Sequence, residues 1–351
     1  MAEITPGKVT FISSGETSQT GGTVFRKLSA SLPRGYRLAI LETPAGFELN
    51  SAKVAGRVGD AIAMRTAEFS PQIDVIPARR KGTPFSPDSP GILGLLPVAD
   101  IVYMGAGSPT YAVRQLRGSL AWQQVLAGWQ QGAGLVLASA AALAVGAFTL
   151  PVYEIFKAGE DPEWKPGLDL FGPIGWKLAV ISHWNNAEGG EDLDTSRCFV
   201  GRERFDALVR TLPSATTILG LDEHTAAILD WTSGKGRVEG KGSITILRDG
   251  REQVHPADSE FPLEEIGAYR IPPEPFGVEK SVWEDVRVRR TESKADPIPP
   301  PEVSALFEER KRMRKDKKYA DADRIREEIE RKGWSVMDTP DGAILRPLRN
   351  G

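Results

Sequence analysis

Short apolar runs alternate with longer amphipathic stretches through about residue 220, the pattern of a mostly parallel sheet covered by helices. Val9–Ser13 and Arg37–Leu41 read as the first two strands, and Ser51 to Glu68 as a helix. Ile73–Pro77 is the next predicted strand, and Ile101–Met104 is another that runs straight into Gly105-Ala106-Gly107. After a helical stretch rich in Trp and Gln, Gly134–Leu137 reads as a buried strand and Ala140–Gly146 as a helix. Leu178–Ser182 and Thr217–Leu221 are predicted strands with a helix, Arg202–Leu212, between them. From Thr225 to Arg248 short alternating runs are broken by Ser233-Gly234-Lys235-Gly236 and Gly240-Lys241-Gly242, which predicts hairpins closing one edge of the sheet.

Periodicity then fades and proline rises. Pro272-Pro273-Glu274-Pro275 and Pro297-Ile298-Pro299-Pro300-Pro301 bracket a charged segment, so 1–250 is read as one α/β domain and 251–301 as a Pro-rich linker or strap. A strap laid over the first domain would be anchored by Phe276 and Trp283. Residues 302–351 form a third segment. A charged helix begins near Glu302, and Asp316 is placed to cap a second helix carrying Ala322, Ile325 and Ile329 on one face. Gly333 ends it, and Trp334–Met337 and Ala343–Arg346 flank Pro340-Asp341-Gly342 as a small hairpin.

Composition narrows the classes of function. The 351 residues are 40% apolar, ordinary for a chain with a real core. Lys and Arg (44) nearly balance Asp and Glu (47), so nucleic-acid binding would have to come from a local patch. One cysteine, Cys198, gives neither a disulfide framework nor a thiolate cluster. His and Cys are too few and too scattered for a metal site, and no dinucleotide fingerprint occurs, so no cofactor is expected. The N-terminal stretch lacks the features of a signal peptide and no run is long and apolar enough for a membrane span, so the expected location is the cytoplasm.

Candidate chemistry begins at Ser139. The strand before it ends in small residues, Leu137-Ala138-Ser139-Ala140-Ala141-Ala142, and a serine at a tight strand-to-helix turn stands clear of the sheet. A helix start beneath it favours developing negative charge. The same segment also reads as an Ala-rich buried helix with an N-cap serine. His183 follows another predicted strand and leads into Trp184-Asn185-Asn186. Functional groups of open α/β sheets gather at the carboxyl ends of strands, where Ser139, His183 and the Gly105–Gly107 loop all fall. Of the other histidines, His224 lies in the turn Asp222-Glu223-His224-Thr225, and His255 is in the linker; both are read as solvated or structural.

Ser139-Ala140-Ala141-Ala142 is similar to the Ser-Ala-Gly-Ala nucleophile turn of the peptidase E and cyanophycinase family. His183-Trp184-Asn185-Asn186 with Arg202-Glu203-Arg204-Phe205, and then Gly220–Ala226 with Val238-Glu239-Gly240, resemble that family's later segments in order and spacing over about residues 5–250. The resemblance implies the class I glutamine amidotransferase-like fold, a three-layer α/β arrangement. It also implies a serine peptidase or amidohydrolase acting on small peptide or amide substrates, with Ser139 as nucleophile and His183 as general base. Backbone N–H groups of Ala106, in the Gly105-Ala106-Gly107 loop, and of Ala140 would form the oxyanion hole. Asn185, Asn186 and Arg204 would bind an acidic substrate, and Arg202 is read as a solvated helix residue. The family's acid lies between nucleophile and histidine; Thr149 occupies that position here, and Glu154 is the substitute expected, with Glu160 and Asp161 behind it. Without such an acid the first domain would be a weak enzyme or a pseudoenzyme, and the alternative to hydrolysis is a non-catalytic ligand-binding protein.

The tail carries the chain's one strong basic cluster, Arg310-Lys311-Arg312-Met313-Arg314-Lys315-Asp316-Lys317-Lys318. A charge run on a short helix is more often a solvated face. With Tyr319–Arg326, Gly333 and Asp338–Gly342 it resembles the C-terminal end of cysteinyl-tRNA synthetase, part of that enzyme's anticodon-binding domain. The resemblance implies tRNA binding through Arg310, Arg312, Arg314, Lys315, Lys317 and Lys318, with docking of a protein partner as the alternative. Catalytic synthetase signatures are missing, so aminoacylation is not expected.

Overall fold

The computed structural model describes residues 4–294, 299–316, 318–339 and 342–348. The chain divides into two compact units, Met1–Arg289 and Arg290–Gly351.

In the first unit the apolar runs become β1 (Val9–Ile12), β2 (Arg37–Leu41), β3 (Gln72–Ile76), β4 (Ile101–Met104) and β5 (Gly134–Ala138). These five pair in parallel in the order β1-β5-β4-β2-β3. β1 and β4 are buried along their length and β5 beyond Gly134, as continuous apolar runs require in a sheet covered on both faces. Helices α1 (Gln19–Ser29), α2 (Ser51–Arg65), α3 (Pro109–Leu116) and α4 (Leu120–Gln130) join them. The Trp- and Gln-rich α4 is buried on nearly every side, and Trp129 Nε1 donates to the Gly7 carbonyl at 2.9 Å.

Beyond β5 come α5 (Ala140–Ala144), β6 (Phe148–Thr149), α6 (Val152–Phe156) and β7 (Lys165–Pro166). Then follow β8 (Lys177–Ile181), α7 (Arg202–Val209) and β9 (Thr216–Leu221). The mostly parallel, helix-covered sheet expected from the sequence is present as this main sheet, and a second, four-stranded sheet accompanies it. β8 and β9 pair in parallel, but with each other and not with the main sheet. The hairpin region splits between the two. β10 (Thr225–Asp230) lies antiparallel to β1 and carries β11 (Lys235–Gly240), whereas β12 (Ser243–Arg248) joins β9. Ser13 links the sheets: its Oγ donates to Leu221 O at 3.0 Å and accepts from His183 N–H at 2.7 Å.

Residues after 250 are part of this unit. β13 (Arg251–Pro256) extends the second sheet and β14 (Glu260–Pro262) the first. Phe276 exchanges hydrogen bonds with the Gln130 side chain and packs edge-on against Trp129. Trp283 and Val286 of α8 (Lys280–Lys294) are buried with Ile4 and Ala127. The first unit therefore extends to Arg289, past the boundary at 250 suggested by the loss of periodicity, because aromatic anchors and strand pairing hold the Pro-rich segment down.

The second unit pairs α9 (Pro301–Lys315) and α10 (Tyr319–Arg331) with an antiparallel ribbon, β15 (Trp334–Thr339) and β16 (Gly342–Pro347). Val303, Ile329, Trp334 and Val336 form its core. Asp316 closes α9, its N–H bonding to Arg312 O and Arg314 O, and so does not cap the helix that follows; Lys318 stands before α10. Pro340 and Asp341 of the expected hairpin turn lie outside the described residues. Among the described residues no helix is long and apolar enough to cross a membrane.

Candidate active site

Ser139 sits between β5 and α5 with φ 48° and ψ −115°, a backbone conformation that L-residues rarely adopt. Its N–H bonds to Ile12 O at 2.9 Å, and Ala140, Ala141 and Ala142 behind it are buried. The strain is what turns the side chain out of the sheet. A serine in an ordinary N-cap has β-region backbone and bonds the helix N–H groups, and Ser139 does neither.

His183 lies two residues past the end of β8, also at positive φ (54°). Its Nε2 stands 3.1 Å from Ser139 Oγ, and its Nδ1 stands 3.2 Å from Glu223 Oε1. Glu223, two residues past β9, is brought there because β8 and β9 are parallel neighbours, with Ile181 opposite Gly220. Gly220 matters to this junction: a Cβ there would fall 2.4 Å from the Trp184 ring. The Glu223 carboxylate also accepts from Asn186 Nδ2 at 2.7 Å, and the Glu223 N–H donates to Asn185 Oδ1 at 2.8 Å. Partial burial pushes the Glu223 carboxyl upward, but the bonds from Asn186 and His183 and the electrostatic effect of the neighbouring His183 and His224 rings outweigh it. Glu223 is held below its ordinary pKa and is an anion at neutral pH.

Glu154, the acid expected from the resemblance, is not beside His183. Its Oε1 accepts from Thr110 Oγ1, on the opposite side of the short helix α6 from the cleft. Glu160 and Asp161 are exposed and do not line the cleft. Asn185 and Asn186 are turned toward Glu223 rather than lining the cleft, and Arg204 lies exposed on α7 away from it. Arg202 is exposed too, its backbone N–H bonding Asp194.

The cleft holds about 250 Å³ and is bordered by Gly107, Ser139, Ala140 and His183. The Gly105–Gly107 loop meets the start of α5, where Gly105 O accepts from Ala141 N–H at 3.3 Å. At Gly107 φ is +145°, and a Cβ would lie 2.1 Å from Pro44 O, so glycine is required for the loop to pass this close. Ala140 opens α5, and its N–H has no carbonyl a turn behind it within the helix. Cys198 also faces the cleft, but burial, with Glu223 adding to it, pushes its thiol up to about 12; it is a neutral wall, not a thiolate. Among the described residues no three His, Cys, Asp or Glu side chains are grouped as metal ligands.

This framework has known counterparts. The chain superimposes on the crystal structure of a peptidase from an acI-B1 Actinobacterium with a TM-score of 0.58 and 18% identity, covering 73% of this chain and 97% of that one. The first unit has a peptidase-like fold. At this identity the likeness concerns the fold alone.

The tail matches elsewhere. Residues 296–346 fit the family model of the cysteinyl-tRNA ligase anticodon binding domain. Similar curated proteins include a cysteine–tRNA ligase from Syntrophobacter fumaroxidans, 30% identical over 145 residues, 41% of this chain and 26% of that one. Another is cysteine–tRNA ligase 1 of Burkholderia lata, 54% identical over 52 residues, 15% of this chain and 11% of that one. The chain thus spans about a quarter or less of these relatives. In the tail, Arg312, Arg314, Lys315 and Lys318 are exposed, whereas Arg310 is buried and so is not on the surface with them. Lys317 lies outside the described residues.

Proposed function

We propose that the first unit is a serine hydrolase of small amide or peptide bonds, with Ser139 as nucleophile, His183 as general base and Glu223 as the orienting acid. One observation carries this reading: the unbroken relay from Ser139 Oγ through His183 Nε2 and Nδ1 to Glu223 Oε1. An imidazole protonated on Nδ1 donates to the Glu223 carboxylate and leaves Nε2 free to accept the serine proton. Ser139 Oγ then bonds to the carbonyl carbon, and His183 returns the proton to the leaving nitrogen as the C–N bond breaks. Water, activated by the same imidazole, hydrolyses the acyl-enzyme. The Ala140 and Ala106 N–H groups are the proposed donors to the oxyanion. A fluorophosphonate probe tests the reading directly: it labels the wild-type protein stoichiometrically and Ser139→Ala not at all. A wild-type protein that neither labels nor turns over a dipeptide panel is a ligand-binding protein instead.

The match of the tail to an anticodon-binding family favours a second role, binding of tRNA by the exposed cations at the end of α9. Phosphate contacts of this kind weaken steeply with salt. A gel shift with bulk tRNA at low ionic strength is the test, and its absence would leave docking of a protein partner.

A further inference from the structure

The side chains around Ser139 are not those of an acid-binding cleft. Leu143, Val152, Phe156 and Phe199 supply its apolar wall, beside the uncharged Cys198 thiol. Phe199 and Cys198 are held there by three consecutive non-glycine residues at positive φ, Arg197 (57°), Cys198 (60°) and Phe199 (67°). L-residues resist this region, and a run of them persists only where the surroundings over-determine it. Here the Arg197 N–H bonds Trp184 O at 2.9 Å, Cys198 N–H bonds His183 O at 3.1 Å and Phe199 N–H bonds Thr195 O at 2.9 Å. The Arg197 guanidinium also lies over the Trp184 ring, 3.8 Å from its centroid. The strained turn sets the Phe199 ring 5.6 Å from the His183 imidazole and 5.4 Å from Phe156.

Charge points the same way. Apart from His183, the ionic side chains lining the cleft are one cation, Lys157, and one anion, Glu188. Glu223 stands directly behind His183, and Glu48 lies close enough to Tyr153, on the cleft wall, to add to the effect of burial in raising its phenol. An acidic substrate side chain would therefore meet one carboxylate, Glu188, for the one ammonium of Lys157, with the Glu223 anion behind His183. A volume of about 250 Å³ lies just below the usual range for ligand sites, about 300–1,000 Å³, and limits the occupant to something of dipeptide size.

We propose that the cleft selects a small zwitterionic peptide with an apolar residue beside the scissile bond. The apolar side chain packs on Phe156 and Phe199, the free carboxylate pairs with Lys157 and the free ammonium with Glu188. This deepens the hydrolase reading and rests on it, yet binding can be measured apart from turnover. In full-length Ser139→Ala, calorimetry with Leu-Phe and with Asp-Phe separates the two substrate classes. Leu-Phe binds at least about tenfold more tightly than Asp-Phe, and both C-terminal amidation of Leu-Phe and Lys157→Met lower its affinity by a similar factor. Lys157→Arg restores it. Equal or tighter binding of Asp-Phe overturns the inference, as does binding of neither peptide or indifference to Lys157→Met. If wild-type protein cleaves Asp-Phe in preference to Leu-Phe, the hydrolase reading stands and the inference falls. If Leu-Phe binds but Ser139 neither labels nor turns over, it is the hydrolase reading that fails.

Discussion

Glu223 and His183 are bonded across the ends of two parallel strands, carboxylate Oε1 to imidazole Nδ1 at 3.2 Å, while the other ring nitrogen faces Ser139. The imidazole is thereby fixed in one tautomer and one orientation. Glu223→Gln is expected to lower kcat on the order of 10⁴-fold, the scale for losing the orienting acid of such a relay. Glu154→Gln is expected to leave kcat within a few-fold, since its carboxylate bonds Thr110 instead. Steady-state turnover of the two variants separates them, and the opposite ranking would return the role to Glu154.

The same carboxylate links stability to pH. Unfolded, Glu223 titrates near 4.5; folded, its pKa is lower. A depressed folded value means that the stabilisation is complete above the unfolded pKa and is lost as pH falls through the folded one. The Tm gap between wild type and Glu223→Gln should therefore narrow as pH drops from about 5 to about 3. A gap that stays constant to pH 3 would show that the ionised carboxylate is not what stabilises the loop.

Ser139 and His183 were legible because their signals are local. An apolar strand that ends in small residues and a serine is visible in Leu137–Ala142, and a histidine directly after an apolar run is visible at Ile181–His183. Glu223 was hidden by a question that is not local. Strand periodicity gives the existence of β8 and β9 but not their pairing, and only the pairing puts residue 223 beside residue 183. The available clue was the strand–helix–strand unit of β8, α7 and β9, whose two strands are expected to be parallel neighbours. That pairing brings the turn Asp222-Glu223-His224 level with the end of β8. The second sheet was hidden for the same reason, and the end of the first unit at Arg289 reflects anchoring by Phe276 and Trp283 against a composition that reads as linker.

Backbone strain at Ser139 predicts a trade between stability and activity. Glycine accepts φ 48° and ψ −115° without a Cβ penalty, so Ser139→Gly should be stabilised by about 1 kcal/mol relative to Ser139→Ala, after allowing for glycine's entropy in the unfolded chain. Both variants lose the nucleophile. Urea midpoints compared at equal m-value give the answer, and equal midpoints would mean that the turn is not strained.

At Gly107 the space itself is the constraint. A Cβ would sit 2.1 Å from a backbone carbonyl oxygen, Pro44 O, at a φ that disfavours L-residues. Gly107→Ala should cost about 1–3 kcal/mol and displace the loop at the cleft, lowering kcat even where the protein remains folded. A fully stable and fully active Gly107→Ala would show that the loop is free to move without consequence for the site.

The tail offers the last test, one of electrostatics rather than geometry. Arg312, Arg314, Lys315 and Lys318 are exposed on and just beyond the end of α9. If two of them contact phosphates, the double variant Arg312→Ser, Lys315→Ser loses two counterion-releasing contacts. The slope of log Kd against log salt should then flatten by about 1.4–1.8, at roughly 0.7–0.9 per contact. Fluorescence anisotropy with labelled tRNA between about 50 and 200 mM salt measures the slope over the range where such contacts dominate. An unchanged slope with unchanged affinity would remove both side chains from the interface. A weaker complex with an unchanged slope would point to lost packing or hydrogen bonds, and so to a surface that recognises shape rather than charge.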